Sequence, residues 1–131
     1  MSDLRILYVD DEPDIREVAL LSLGLDPAIE CRAVDSGAKM LEILGQEQWL
    51  PDLILLDVMM PGMDGPTTLA RFRETSAAAM RTPVVFMTAR AQGFERDRLL
   101  KLGAVAVIPK PFDPMRLAGQ LRAIFEAAAM A

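Results

Sequence analysis

Five short apolar runs, each followed by a stretch with helical periodicity, constrain this 131-residue chain more than any other feature. The runs Leu4–Val9, Leu53–Leu56, Val84–Met87 and Ala104–Ile108 are nearly continuous, the pattern of strands covered on both faces. A weaker one, Ala28–Val34, alternates Ile29, Cys31 and Ala33 with Glu30 and Arg32, which suits a half-exposed edge strand. Between them lie helical patterns. Asp14–Leu23 carries a stripe of Ile15, Val18, Ala19 and Ser22 and stops at Gly24. Ser36 can cap a helix bearing Met40, Leu41 and Leu44. Gly65-Pro66 opens the third helix, with Leu69 and Phe72 as its apolar face. Gln92–Leu102 is a poorer fourth, anchored by Leu99 and Leu102. Asp113-Pro114 opens a fifth with Leu117, Leu121, Ile124 and Ala128 in register.

Strand–helix alternation repeated five times predicts a parallel sheet with right-handed crossovers and helices on both faces. Five strands make an open doubly wound α/β sheet rather than a closed barrel, and the flavodoxin-like order 2-1-3-4-5 is the expectation. The chain reads as one domain over residues 1–131, with a core at roughly 3–127 and a short C-terminal tail.

In such a sheet ligands bind beyond the carboxyl ends of the strands. The first strand runs into Asp10, Asp11 and Glu12, the third into Asp57, the fourth into Thr88 and the fifth into Lys110. Each has a plain reading alone: acids at a helix start, a turn aspartate, a threonine closing a strand, a solvated lysine. Four strands each delivering a polar group to one edge argue for a site. Its chemistry is bounded by composition. The chain has no histidine and a single cysteine, so histidine-based nucleophilic chemistry, histidine-ligated metals and internal disulfides are excluded. A metal here is held by oxygen. Asp10, Asp11 and Asp57 would repel one another in a cleft, and a hard divalent cation, magnesium above all, relieves that. With no histidine, and with Cys31 in mid-strand, the available nucleophile is an aspartate, which can form an aspartyl phosphate. Lys110 and Thr88 are placed to neutralise and hold phosphoryl oxygens. The loop from Val58 to Gly65 has glycines suited to a tight turn that offers backbone groups to an oxyanion or a metal.

Together Val9-Asp10-Asp11-Glu12, Leu55-Leu56-Asp57-Val58-Met59-Met60-Pro61-Gly62-Met63-Asp64-Gly65, Thr88-Ala89 and Lys110-Pro111-Phe112 resemble the receiver domain of two-component response regulators, over nearly the whole chain. The resemblance implies a stand-alone, chemotaxis-type signalling receiver. A histidine kinase, a phosphotransfer protein or a small phosphodonor would phosphorylate Asp57. Mg2+ would be held by Asp10, Asp11, Asp57 and the backbone carbonyl of Met59. Thr88 and Lys110 would bind the phosphoryl group, and the bond before Pro111 would be cis. The output would be contact with a downstream protein, through the face built by the last two helices and the fifth strand. The chain would be an enzyme only toward its own aspartyl phosphate. Two features depart from the family pattern: Val107 stands where an aromatic switch residue is common, and Arg90 and Met59 occupy positions that tune phosphoryl lifetime.

A haloacid-dehalogenase-type phosphohydrolase also uses aspartate, threonine, lysine and magnesium, but it wants a second aspartate where this chain has Met59. A flavodoxin-like electron carrier needs a phosphate-binding loop where Asp10-Asp11-Glu12 would repel the flavin phosphate. The net charge of −5, with no basic run, argues against direct nucleic-acid binding. No apolar run approaches the ~20 residues of a membrane span, and the acidic N-terminus lacks a signal-peptide pattern, so a cytoplasmic location is expected. The chain leaves little room after its last helix for an output domain. Cys31, Tyr8 and Trp49 read as packing residues.

Overall fold

The computed structural model describes residues 3–130. Its elements follow in strict alternation: β1 (Leu4–Val9), α1 (Pro13–Leu23), β2 (Ile29–Val34), α2 (Gly37–Gly45), β3 (Leu53–Asp57), α3 (Gly65–Arg73), β4 (Val84–Thr88), α4 (Gly93–Lys101), β5 (Ala106–Pro109) and α5 (Leu117–Met130). All four strand pairings are parallel, and the order is β2-β1-β3-β4-β5. This is the doubly wound flavodoxin-like sheet that the alternation predicts.

The period-2 geometry of the strands sorts the core into two layers. Leu7, Val9, Ile54, Leu56, Val84 and Phe86 pack with Met40, Leu44, Leu69, Phe72 and Leu99 from α2, α3 and α4. Leu4, Ile6, Tyr8, Leu53, Leu55, Val85, Met87 and Ile108 pack with Ala19, Leu23, Leu117 and Leu121 from α1 and α5. The central strands β3 and β4 are buried at every residue, whereas β2 is half-exposed along its length, as an edge strand should be.

Several boundaries differ from the expectations. On α1 the buried stripe is Ala19, Ser22 and Leu23, and Val18 is turned outward. Leu102 ends α4 as an exposed capping residue, which leaves Leu99 as that helix's buried anchor. Asp113 does cap, accepting the Met115 N–H at 2.9 Å, but the residues after it form a turn and α5 begins only at Leu117. The Pro114 carbonyl accepts the Ser22 hydroxyl of α1, which diverts it from the helical ladder. Strand β5 starts at Ala106, two residues later than expected. Ser36 caps α2 by accepting the Lys39 N–H at 3.1 Å, and Asp64 caps α3 by accepting the Thr67 N–H at 2.8 Å.

Candidate functional site

Strand parity builds the site. Tyr8 and Asp10 share one face of β1, Leu55 and Asp57 the same face of β3, and Ile108 precedes Lys110 by two on that side of β5. The register sets Val9 beside Leu56, so the residues that follow, Asp10 and Asp57, come side by side where the strands end. The α1/α5 core layer is therefore continued, past its last apolar residues, by carboxylates and an ammonium.

Lys110 Nζ lies 3.0 Å from Asp10 Oδ2, 3.1 Å from Asp57 Oδ2 and 3.2 Å from Glu12 Oε1. Asp10 and Asp57 are buried, Asp11 half-buried, and oxygen atoms of the three carboxyl groups all lie within 4.8 Å of one another. Burial, then the neighbouring Asp10 charge, pushes the Asp57 carboxyl up to about 6, against the opposing pull of Lys110 and the Met59 N–H. Burial works against the Lys110 charge. Hydrogen bonds to Asp10 and Asp57 and the attraction of both carboxylates outweigh it and lift the ammonium above its usual range. One lysine thus faces more carboxylates than it can neutralise. The remaining negative charge, offered entirely by oxygen donors in a cleft, fits a hard divalent cation such as magnesium.

The loop between β3 and α3 is shaped by two glycines. Gly62 has φ +77°, a left-handed conformation that side chains resist. Gly65 donates its N–H to the Val58 carbonyl at 2.9 Å, and a Cβ on it would run into the Asp57 carbonyl and the Phe86 ring. Any larger residue would push α3 away from the end of β3. Within the loop, the Met59 N–H points at Asp57 Oδ1, a long contact of 3.4 Å, while the Met59 side chain is 77% exposed. The Lys110–Pro111 peptide bond is cis.

The sequence-predicted residues are thus unequally placed. Asp10, Asp11, Asp57 and Lys110 form one cluster. Thr88 closes the adjacent strand, but its hydroxyl accepts the Arg90 N–H at 3.1 Å in a local turn of its own loop. Val107 is half-buried and packs on the opposite core layer, paired in register with Phe86. Sequence reasoning missed two participants, Tyr8 and Arg16, and placed a third, Glu12, at this edge without naming its partner. Tyr8 donates its hydroxyl to Asp10 Oδ2 at 2.8 Å, Arg16 donates to the Asp10 backbone carbonyl at 2.8 Å, and Glu12 reaches Lys110. The signal for Tyr8 was available: a residue two before Asp10 on a strand shares its face.

Comparison with known proteins gives the same picture. The family described as "Response regulator receiver domain" matches residues 6–122. The phosphate regulon transcriptional regulatory protein PhoB of Klebsiella pneumoniae is 39% identical over 123 residues, covering 92% of this chain and 51% of that protein. The transcriptional activator protein IrlR of Burkholderia pseudomallei is 41% identical over 122 residues, covering 92% and 50%. The chain therefore spans about half the length of the curated relatives it matches. Among solved structures, a putative response regulator from Chloroflexus aurantiacus superposes with a TM-score of 0.83 at 28% identity, covering 95% of this chain and 99% of that one. The chemotaxis protein CheY4 of Vibrio cholerae does so with 0.81 at 25% identity, covering 94% and 99%. Its fold, its acidic cleft and its sequence agree: the chain belongs to the receiver-domain family of two-component response regulators, signalling domains rather than metabolic enzymes.

Proposed function

We propose that Asp57 is the phosphoacceptor of a phosphorylation-switched signalling domain, one that catalyses only its own aspartyl phosphorylation and dephosphorylation. The observation that carries this reading is the environment of its carboxyl group. It is buried, hemmed in by two other aspartates, and within 3.1 Å of a lysine whose ammonium is shared among the carboxylates of Asp10, Glu12 and Asp57. A carboxylate oxygen of Asp57 attacks the phosphorus of a phosphohistidine on a histidine kinase or phosphotransfer protein, or of a small phosphodonor, and the donor's bond to phosphorus breaks. Asp10, Asp11, Asp57 and the Met59 carbonyl would hold magnesium, which when bound would supply charge neutralisation at the phosphoryl oxygens. Lys110 keeps its ammonium beside Asp57 and pairs with the new phosphoryl group. Thr88 must give up its turn with Arg90 to bond a phosphoryl oxygen, which makes that loop the natural reporter of the switch.

An apolar groove of about 270 Å³, lined by Ile15, Val18, Pro111, Phe112 and Pro114, reaches Lys110. A donor protein covering it would exclude water from the transfer. The output is contact with a downstream protein, in the cytoplasm. The domain extends over the whole chain, residues 1–131. Among the described residues no helix is long and apolar enough to cross a membrane. The phosphohydrolase alternative finds no support, since the exposed Met59 side chain stands where it needs an acid.

The test is incubation with acetyl phosphate and magnesium. Intact mass should rise by one hydroxylamine-labile phosphoryl group, and chelator should prevent it. Asp57→Asn should take up none. Uptake by that variant equal to wild type overturns the assignment.

A further inference from the structure

Tyr8 is the penultimate residue of β1, fully buried in the layer that holds Leu4, Ile6, Leu55 and Val85. Packing alone would be served there by any large apolar residue; the hydroxyl is what distinguishes this one. A phenol buried without a partner is costly, and this one donates to Asp10 Oδ2 at 2.8 Å. A phenol holds its proton at neutral pH, and a carboxylate oxygen can only accept, so the hydroxyl is the donor. Lys110 approaches the same carboxylate oxygen at 3.0 Å, while Asp10 Oδ1 accepts the Glu12 N–H at 3.0 Å. Arg16 holds the Asp10 main-chain carbonyl at 2.8 Å. Asp10 is thus fixed at its backbone and at both carboxylate oxygens. Of the side chains that hold the carboxylate, Tyr8 is anchored by the rigid core, whereas Lys110 is a flexible chain shared with Asp57 and Glu12.

We propose that Tyr8 is a positioning residue for the acidic cluster: its core-anchored hydroxyl fixes the orientation of the Asp10 carboxylate and keeps Lys110 shared between Asp10 and Asp57. Without the hydroxyl, Asp10 Oδ2 has Lys110 as its one side-chain donor among the described residues. The lysine is then drawn toward Asp10, and the carboxylate is free to turn with it. The preformed arrangement of oxygens that suits a hydrated cation is lost. This inference rests on the reading of Asp10, Asp11 and Asp57 as a magnesium site.

The experiment is calorimetric titration with Mg2+ alone, at pH 7.5, of wild type, Tyr8→Phe, Ile6→Val and Asp11→Asn, each with its thermal midpoint measured in chelator. Tyr8→Phe keeps the ring and its packing. Ile6→Val trims the same core layer two residues away without touching the cluster. The expected result is that Tyr8→Phe binds Mg2+ about 3- to 10-fold more weakly, the weight of one orienting hydrogen bond. Ile6→Val should bind as wild type does despite a lowered midpoint. If Tyr8→Phe binds within twofold of wild type, or more tightly, the proposal is wrong. Equal weakening in Ile6→Val would reduce Tyr8 to a packing role and overturn it too. If Asp11→Asn binds as wild type does, the magnesium reading itself fails, and this inference with it.

Discussion

Two part-buried cations, one near each end of the sheet, have different kinds of partner. At the carboxyl-terminal edge Lys110 faces three carboxylates. At the other end, Arg73 at the close of α3 donates to the backbone carbonyls of Ala79 and Thr82, both at 2.6 Å, and more distantly to Gly103 at 3.4 Å. Arg73 ties the α3–β4 connection to the turn before β5, beside a groove of about 410 Å³ whose lining includes Leu41, Leu44 and Phe72. Its partners are neutral and fixed by the chain. Those of Lys110 are charged and titratable. A cation on carbonyls is part of the fold; a cation on excess carboxylates is part of a site.

The sharpest way to break this contrast is to remove each cation in turn. Arg73→Ala strands carbonyls that the guanidinium satisfies, at a cost of about 3 kcal/mol of unfolding free energy. Magnesium should not restore it. Lys110→Ala should cost less, about 1–2 kcal/mol at neutral pH, because Asp57 can relieve the repulsion by taking a proton. Magnesium should recover most of that loss while the phosphorylation-dependent change in conformation stays absent. Urea unfolding with and without Mg2+ checks both. Equal rescue of the two variants would erase the distinction.

The pH dependence sharpens it further. With its carboxyl raised from 3.8 to about 6, Asp57 in the folded state binds a proton that the unfolded state has already released between those values. Stability contributed by this group therefore falls as pH rises from about 4 to about 6, and the penalty is complete above that window. Asp57→Asn should accordingly be more stable than wild type at pH 7.5 in chelator, by on the order of 2 kcal/mol, and lose that advantage near pH 4. Arg73→Ala should show no such window. A constant difference between Asp57→Asn and wild type from pH 4 to 7.5 would show that burial and Asp10 do not govern the Asp57 carboxyl.

How much of this was legible beforehand depended on whether a residue's role is set by sequence neighbours or by the chain it meets. Continuous apolar runs and the alternation within Ala28–Val34 were enough for the sheet, its edge strand (observed at Ile29–Val34) and its order. Strand ends located Asp10, Asp57, Thr88 and Lys110, because a parallel sheet brings all carboxyl ends to one edge. The start of α5 was not legible, since the Pro114 carbonyl is claimed by Ser22, 92 residues away. Nor was the role of Arg73, whose partners are main-chain atoms of loops. Trp49 does pack, yet its ring N–H also donates to Glu30 at 2.7 Å and Arg32 lies over its face, a cross-chain arrangement with no local signature. Tyr8 was read for its ring, and its hydroxyl was overlooked although parity pointed it at Asp10.

The smallest expected effect concerns Val107, and it tests whether the carboxyl-terminal edge drives the rest of the domain without an aromatic switch. Val107 is half-buried beside Phe86, in the layer opposite the acidic cluster. A β-branched side chain so short and so restricted at χ1 can change its burial by only a fraction of what a ring could. Thr88 is different: its hydroxyl is engaged with the Arg90 N–H, and its carbonyl accepts the Lys110 N–H at 2.8 Å. A pull on Thr88 from a phosphoryl oxygen is therefore felt both in the loop leading to α4 and at the lysine end of β5. Coupling should run through that backbone. Amide chemical-shift changes across Gly93–Lys101 on adding beryllofluoride and magnesium measure it. Thr88→Ala should abolish most of the response, whereas Val107→Ala should shrink it by no more than about a third, in line with the loss of two methyl groups from a half-buried site. Should Val107→Ala silence α4 as fully as Thr88→Ala does, the valine is a switch residue in spite of its size.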